Sequence, residues 1–296
     1  MTMKSGNTSI IKGNGALVTL AAVAMLAAVG PNLLAQAKPD AKPQAAPQPR
    51  PQAKPAWKSP EQVGSLPFKT RPSGDKEIIH AMADRMGFVR GMLGRGETTD
   101  TLNRLQWYGS GQVAGANGAL VTADYSYAVS LSLGGAREDI KPASGPRITR
   151  VVLGDKAWNE TAPGIGGTWA NDQARARRLQ YARTPFGFVK TVLKAKPGTV
   201  KVTDPGPAGA VTLGLDIEGV STVATLDPDY RPAKITMQDG NDIIETTYPA
   251  YADLQGYGIM FPARMIETVK GRKTADLKFT KGHAASYVIF PQPAAN

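Results

Sequence analysis

Ser73-Gly74-Asp75-Lys76 has the Ser-x-x-Lys spacing in which a lysine, held beside a serine hydroxyl at a helix start, can help activate it for acyl transfer. That chemistry needs a Ser-Asp-Asn companion, which the chain lacks, and a Lys-Thr-Gly, which Lys273-Thr274-Ala275 only half fits. Glu77 and His80 form a Glu-x-x-His pair on one helix face, half of a di-iron ligand set whose second copy does not follow. His80 and His283 are the only histidines, and no Gly-x-Ser-x-Gly turn supplies an exposed nucleophile; Gly109-Ser110-Gly111 fails that pattern. The carboxylates of Asp227-Pro228-Asp229 and Asp239-Gly240-Asn241-Asp242 lack the spacing of a calcium loop and read as turns. Gly109-Ser110-Gly111 with Gly115, and Gly164-Ile165-Gly166-Gly167, join no strand to a helix, so they read as turns or bulges, not phosphate cradles. The residues therefore point to a protein that is not an enzyme and calls for no metal or cofactor.

Export is the clearest signal in the chain. Lys4 and Lys12 precede an apolar run from Ala16 to Val29, about 14 residues, within the ~7–15 of a signal peptide and short of the ~20 that span a membrane. Pro31 breaks the run, and Ala35-Gln36-Ala37 offers small residues at the positions a signal peptidase reads. Residues 1–37 are thus expected to be a cleaved signal peptide, and the mature protein to be periplasmic, with secretion as the alternative. The absence of cysteine excludes a lipid-anchored cysteine and any disulfide. Residues 38–61 hold 7 of the 23 prolines and almost no branched apolar side chain, which predicts a disordered, extended tether that could also touch a membrane surface peripherally. Of the net charge of +11, residues 1–60 carry +6, leaving +5 for residues 61–296. Such a spread lacks the concentrated stripe of a nucleic-acid binder. The densest basic run, Arg175, Arg177, Arg178 and Arg183, reads as a solvated helix face.

Residues 62–296 read as one domain, long enough for a sizeable core. Ile79, Met82, Met86, Val89 and Leu93 recur at spacings of 3, 4, 3 and 4, predicting a helix over 75–93 with Ser73 or Asp75 at its cap. Strands are expected over 102–113, 119–133 and 148–158, the last with a turn at Gly154-Asp155-Lys156. A helical interlude covers 171–196, where Asn171 can cap the first part. Thr184-Pro185 restarts it, since proline at the first helical position loses no hydrogen bond. Phe186, Val189, Val192 and Leu193 face one way. Val211, Leu213, Leu215 and Ile217 alternate with polar residues, as do Ala275, Leu277 and Phe279, and Asp239-Gly240-Asn241-Asp242 and Gly271-Arg272 sit between such runs as hairpin turns do. The pattern predicts a mainly β (α+β) domain whose last third is an antiparallel meander with one buried face.

Two stretches, Ile148 to Trp158 with its Gly-Asp-Lys turn, and Ala224 to Ile235 followed by Glu245-Thr246-Thr247-Tyr248, Ala252-Asp253 and Ile259-Met260-Phe261-Pro262, resemble periplasmic lipoprotein carriers of the LolA/LolB-like superfamily. The resemblance is diffuse and spans about residues 75–290. It implies an incomplete antiparallel β-barrel whose concave apolar face is covered by helices, here 75–93 and 171–196. It also implies a carrier for an acylated or lipid ligand. The inward positions Leu213, Leu215, Leu277 and Phe279, with Phe186 and Val189 of the covering helix, would then line the binding surface. Those carriers close their lid with an arginine on an early strand, and Arg104 lies too near the start of the domain to take that part. A monomer is expected, and the alternative use of the cavity is as a sensor or docking module for an envelope protein.

Overall fold

The computed structural model describes residues 70–88, 102–115, 117–206, 209–255, 258–284 and 288–294. The expected signal peptide, the proline-rich linker, and Val89 and Leu93 of the first helical stripe lie outside these residues. Helix α1 runs over Asp75–Arg85 and buries Ile78, Ala81 and Met82, with Met86 just beyond its end. Neither Ser73 nor Asp75 caps it: the cap is Gly74 at φ 78°, and the Glu77 side chain accepts from the Ser73 amide at 2.9 Å.

Thirteen strands form one antiparallel sheet, open at both edges. From its centre the chain steps outward through β1 (Arg104–Ala114), β2 (Leu120–Ser130), β3 (Gly135–Pro142), β4 (Ile148–Leu153), β5 (Lys156–Glu160) and the short edge strand β6 (Thr168–Trp169). It re-enters at the opposite edge as β7 (Lys201–Thr203) and returns through β8 (Thr212–Ile217), β9 (Val220–Leu226), β10 (Pro232–Asp239), β11 (Asp242–Ala252) and β12 (Phe261–Val269) to β13 (Arg272–Ala284), which pairs with β1. The connection between the two edges is therefore obliged to cross the sheet, and it carries the helices α2 (Ala174–Ala182) and α3 (Pro185–Lys194). This is an incomplete barrel with covering helices.

Local chemistry explains the elements. Thr184 caps α3 by accepting from the Gly187 amide at 3.0 Å, with Pro185 at the first helical position. Asn171 does not cap a helix; it opens a 3₁₀ turn, and its side chain accepts from the Ala157 amide of β5 at 3.0 Å. Hairpins turn at Gly154-Asp155, Glu218-Gly219, Gly240-Asn241 and Lys270-Gly271, so the last turn lies one residue earlier than Gly271-Arg272. Glu218 and Gly219 (φ 53° and 81°), like Lys270 and Gly271 (50° and 74°), adopt the left-handed pair that matches strand twist. At the β1–β13 seam a bulge falls between Tyr108 and Gly109. A Cβ on Gly109 would stand 2.0 Å from the Lys278 carbonyl oxygen, so only glycine lets the two backbones approach this closely.

The concave face packs one core. At one end Phe186 of α3 and Phe88, just past α1, fill it together with aromatic side chains of the sheet: Phe186 lies 5.6 Å from Trp107, 5.5 Å from Phe261 and 6.3 Å from Phe88, between ring centroids. On the outer face, alternation along β3 turns Arg137 and Asp139 away from the core. There Arg137 makes a two-pronged ion pair with Glu160 (2.8 and 3.0 Å) and donates to the Ile289 carbonyl of the C-terminal segment at 2.9 Å.

Candidate ligand cavity

Towards the other end of the strands, the concave face is not filled. A cavity of about 1040 Å³ lies between the sheet and the segment from Trp169 to Thr184, at the upper end of the range for small-molecule sites. Its sheet side presents Val113, Tyr125, Tyr127, Ile140, Tyr248 and Met265, and its helical side Ala176, Arg177, Gln180 and Arg183 of α2 and its end. The aromatic core continues into this wall: Trp107 lies 5.2 Å from Tyr127, and Tyr125 stacks on Tyr127 at 6.4 Å and 10°.

The polar groups of the wall bind one another. Glu138 accepts from the Tyr125 hydroxyl at 3.1 Å and Gln180 Nε2 at 2.7 Å on one oxygen, and from Arg150 Nη1 at 3.2 Å on the other. Across the cavity Glu267 accepts from Arg183 Nη2 at 3.0 Å and the Thr274 hydroxyl at 2.8 Å, and the Tyr248 hydroxyl donates to the Arg183 carbonyl at 2.7 Å. Burial pushes the phenols of Tyr125, Tyr127 and Tyr248 well above their ordinary pKa, and the nearby Glu138 charge adds to this for the first two. Arg177 is itself buried. Its Nη1 donates to the Val151 carbonyl at 3.0 Å and the Trp158 carbonyl at 2.6 Å, and its Nη2 to Asn159 Oδ1 at 2.6 Å. Desolvation, followed by repulsion from Arg150, lowers its pKa.

The basic run on α2 is not a solvated face. Arg177 ties the helix to β4 and β5, Gln180 to β3 and Arg183 to β12. Arg178 grips Glu218 with two prongs (2.5 and 2.8 Å) and reaches the Gly154 carbonyl at 3.2 Å, while Arg175 binds Asp239 at 3.0 and 3.2 Å. The hairpin turns at 154, 218 and 239 belong to strands on either side of the sheet's centre. One helix therefore straps the two halves together over the cavity.

Leu213, Leu215, Leu277, Phe279, Phe186 and Val189 all lie in the single buried apolar cluster, so the structure brings them together. None of the six lines the cavity; Ala275, on the same stripe as Leu277 and Phe279, does. The alternation that marks other strands is broken in β3, whose sequence GAREDIKP places three charged side chains in a row, and this hides its lining residues Glu138 and Ile140 from a sequence reading. Ser73, Lys76 and His80 are exposed on and before α1, away from the cavity. Asp227 accepts from the amides of Asp229 and Arg231 at 2.9 and 2.8 Å, as a turn residue does, and Asp239 is held by Arg175.

No protein-family model matches the chain, and no curated protein matches it. Among solved structures it is similar to a LolA superfamily protein from Nitrosomonas europaea, at 14% identity over 70% of this chain and 91% of that one, with a TM-score of 0.44. It is also similar to a putative outer membrane lipoprotein-sorting protein domain from Vibrio parahaemolyticus, at 10% identity over 64% of this chain and 88% of that one, with a TM-score of 0.31.

Proposed function

We propose that this protein is an exported, non-catalytic carrier that holds the apolar part of an acylated or lipid ligand between the curved sheet and α2. The observation that supports this reading is the unfilled volume of about 1040 Å³ beneath a strapped helix, where Val113, Tyr125, Tyr127, Ile140, Tyr248 and Met265 give the sheet side an apolar part among polar groups that bind one another. Water against such a wall forfeits about 25 cal/mol for each Å² of apolar surface, whereas an acyl chain gains about 0.8 kcal/mol per buried CH₂. In this reading Leu213, Leu215, Leu277 and Phe279 of the sheet, with Phe186 and Val189 of α3, form the packed core that adjoins the cavity wall, and they meet the ligand when α3 shifts away from the sheet. The signal peptide at 1–37 delivers the protein to the periplasm, and the proline-rich segment at 38–61 acts as a tether.

Native mass spectrometry of the protein purified from its own periplasm tests location and cargo together. The expected species begins at Lys38 and carries the added mass of one amphiphile. A chain that still begins at Met1 removes the export reading. A protein that carries no lipid and binds no fluorescent fatty acid removes the carrier reading.

A further inference from the structure

The charges around the cavity are unequally satisfied. Arg147 is matched by Asp139 (2.7 and 2.7 Å) and Arg183 by Glu267, while Glu160 is taken by Arg137 behind the sheet. Arg177 differs. Among the described residues no carboxylate forms an ion pair with it, and its three acceptors are neutral oxygens, although it is only 8% exposed. A guanidinium has five N–H groups; three are used, and no hydrogen bond among the described residues takes the Nε hydrogen or the second one on Nη2. Arg150 spends one Nη1 hydrogen on Glu138 and keeps the rest of its fork, with its side chain 43% exposed.

Arg150 and Arg177 stand close enough to repel, and both line the cavity. They also line, with Glu138, Gln180 and Tyr127, a niche of about 10 Å³ that shares this wall. That is about the room one oxygen-sized group needs. With Glu138 as the niche's one carboxylate, it retains a net positive charge. Asp172 also contributes its field to Arg177 but is exposed. A buried cation without a counter-charge is costly, and paired guanidinium forks fit the oxygens of a carboxylate or phosphate.

We infer that the ligand carries an acidic group, carboxylate or phosphate, seated against Arg150 and Arg177, with its apolar chain running along Tyr127, Ile140 and Met265. This rests on the carrier reading and narrows its ligand to an anionic amphiphile. The acid neutralises Arg177, and its oxygens take the donors left spare on both arginines.

The test is displacement of a fluorescent fatty acid from the mature chain at about pH 8, where carboxylates are ionised, by palmitate, lysophosphatidate and methyl palmitate. One or both acids should compete at concentrations at least tenfold below the ester, and the two acid arms tell carboxylate from phosphate. Arg150→Gln, at an exposed rim position that leaves the strap on α2 intact, should weaken the better acid by roughly tenfold, about 1.4 kcal/mol, and leave the ester unchanged. Arg177→Lys, which keeps the charge and loses the fork, should weaken it less than Arg177→Gln, with folding of each variant checked by circular dichroism. Equal displacement by ester and acids, or an Arg150→Gln effect on both alike, overturns the acidic head and leaves the carrier reading standing. Failure of every amphiphile to bind folded protein overturns both.

Discussion

The Arg178 guanidinium meets both oxygens of Glu218 in the β8–β9 turn while its remaining nitrogen donates to the Gly154 carbonyl in the β4–β5 turn. These two hairpins lie in opposite halves of an open sheet, so one side chain of α2 spans what would be the mouth of the barrel. The half-barrel is closed here by its lid, through side chains that radiate from the helix to strands on both sides.

This strap should be measurable although it is partly wet. With side chains 30% and 32% exposed, the Arg178–Glu218 pair is expected to couple by about 0.5–1 kcal/mol, the upper range for a surface pair, because its geometry is two-pronged. A double-mutant cycle of Arg178→Ala and Glu218→Ala, read by denaturant unfolding, gives that coupling. Either single change should also speed amide exchange in residues 174–182 more than elsewhere, and about 1 M salt should shrink the coupling. Zero coupling together with unchanged exchange in α2 would make the contact incidental.

The seam that joins the two meanders should be the least forgiving place in the sheet. At Gly109 an added methyl meets the Lys278 carbonyl oxygen at 2.0 Å and the Phe279 Cα at 2.8 Å, both backbone, so the strands must separate. Gly109→Ala is expected to cost about 3 kcal/mol or more. Gly214 in β8 is the control: its nearest neighbours would be 3.9 and 4.0 Å away, and Gly214→Ala should stay within about 0.5 kcal/mol. Equal effects at the two sites would mean that the close approach at the seam relaxes without strain.

The two changes also mark what a sequence can and cannot show. Local pattern was enough for β8 and β13, where Leu213 and Leu277 recur in strict alternation, and for the start of α3, where Thr184 and Pro185 carry the cap between them. It was not enough for β3. Arg137, Glu138 and Asp139 are buried because Glu160 of β5, Arg150 of β4 and Arg147 just before β4 meet them, a pairing set by strand register and not by any periodic spacing along the chain. The arginines of α2 misled for the same reason: charge is visible in sequence, but the carbonyl of Gly154 and the carboxylates of Glu218 and Asp239 become neighbours only after folding. Nor does alternation reveal volume. Leu277 and Ala275 belong to one inward stripe, yet the first packs in the core and the second borders empty space.

The tyrosines provide a test of how closed the wall is. Burial raises the phenol pKa of Tyr125, Tyr127, Tyr181, Tyr248 and Tyr251 above its ordinary value, while the unfolded chain ionises near 10. Below about pH 10 both states keep these protons, so the contribution to stability is fully present. Above it the unfolded state releases protons that the folded state holds, and each such tyrosine lowers stability by up to about 1.4 kcal/mol per pH unit. Alkaline titration should therefore show the ionisation of these five as a second step, set apart from any tyrosine that titrates earlier and coincident with loss of near-ultraviolet circular dichroism. Tyr125→Phe should remove one proton from the second step and, by freeing one acceptor site on Glu138, cost about 1 kcal/mol at neutral pH. A bound amphiphile, which covers Tyr125 and Tyr127 on the cavity wall, should move the second step to higher pH. Gradual ionisation of all the tyrosines near pH 10, with the circular dichroism intact, would mean that water reaches the phenols freely and that the wall of the cavity is not the dry surface a lipid carrier requires.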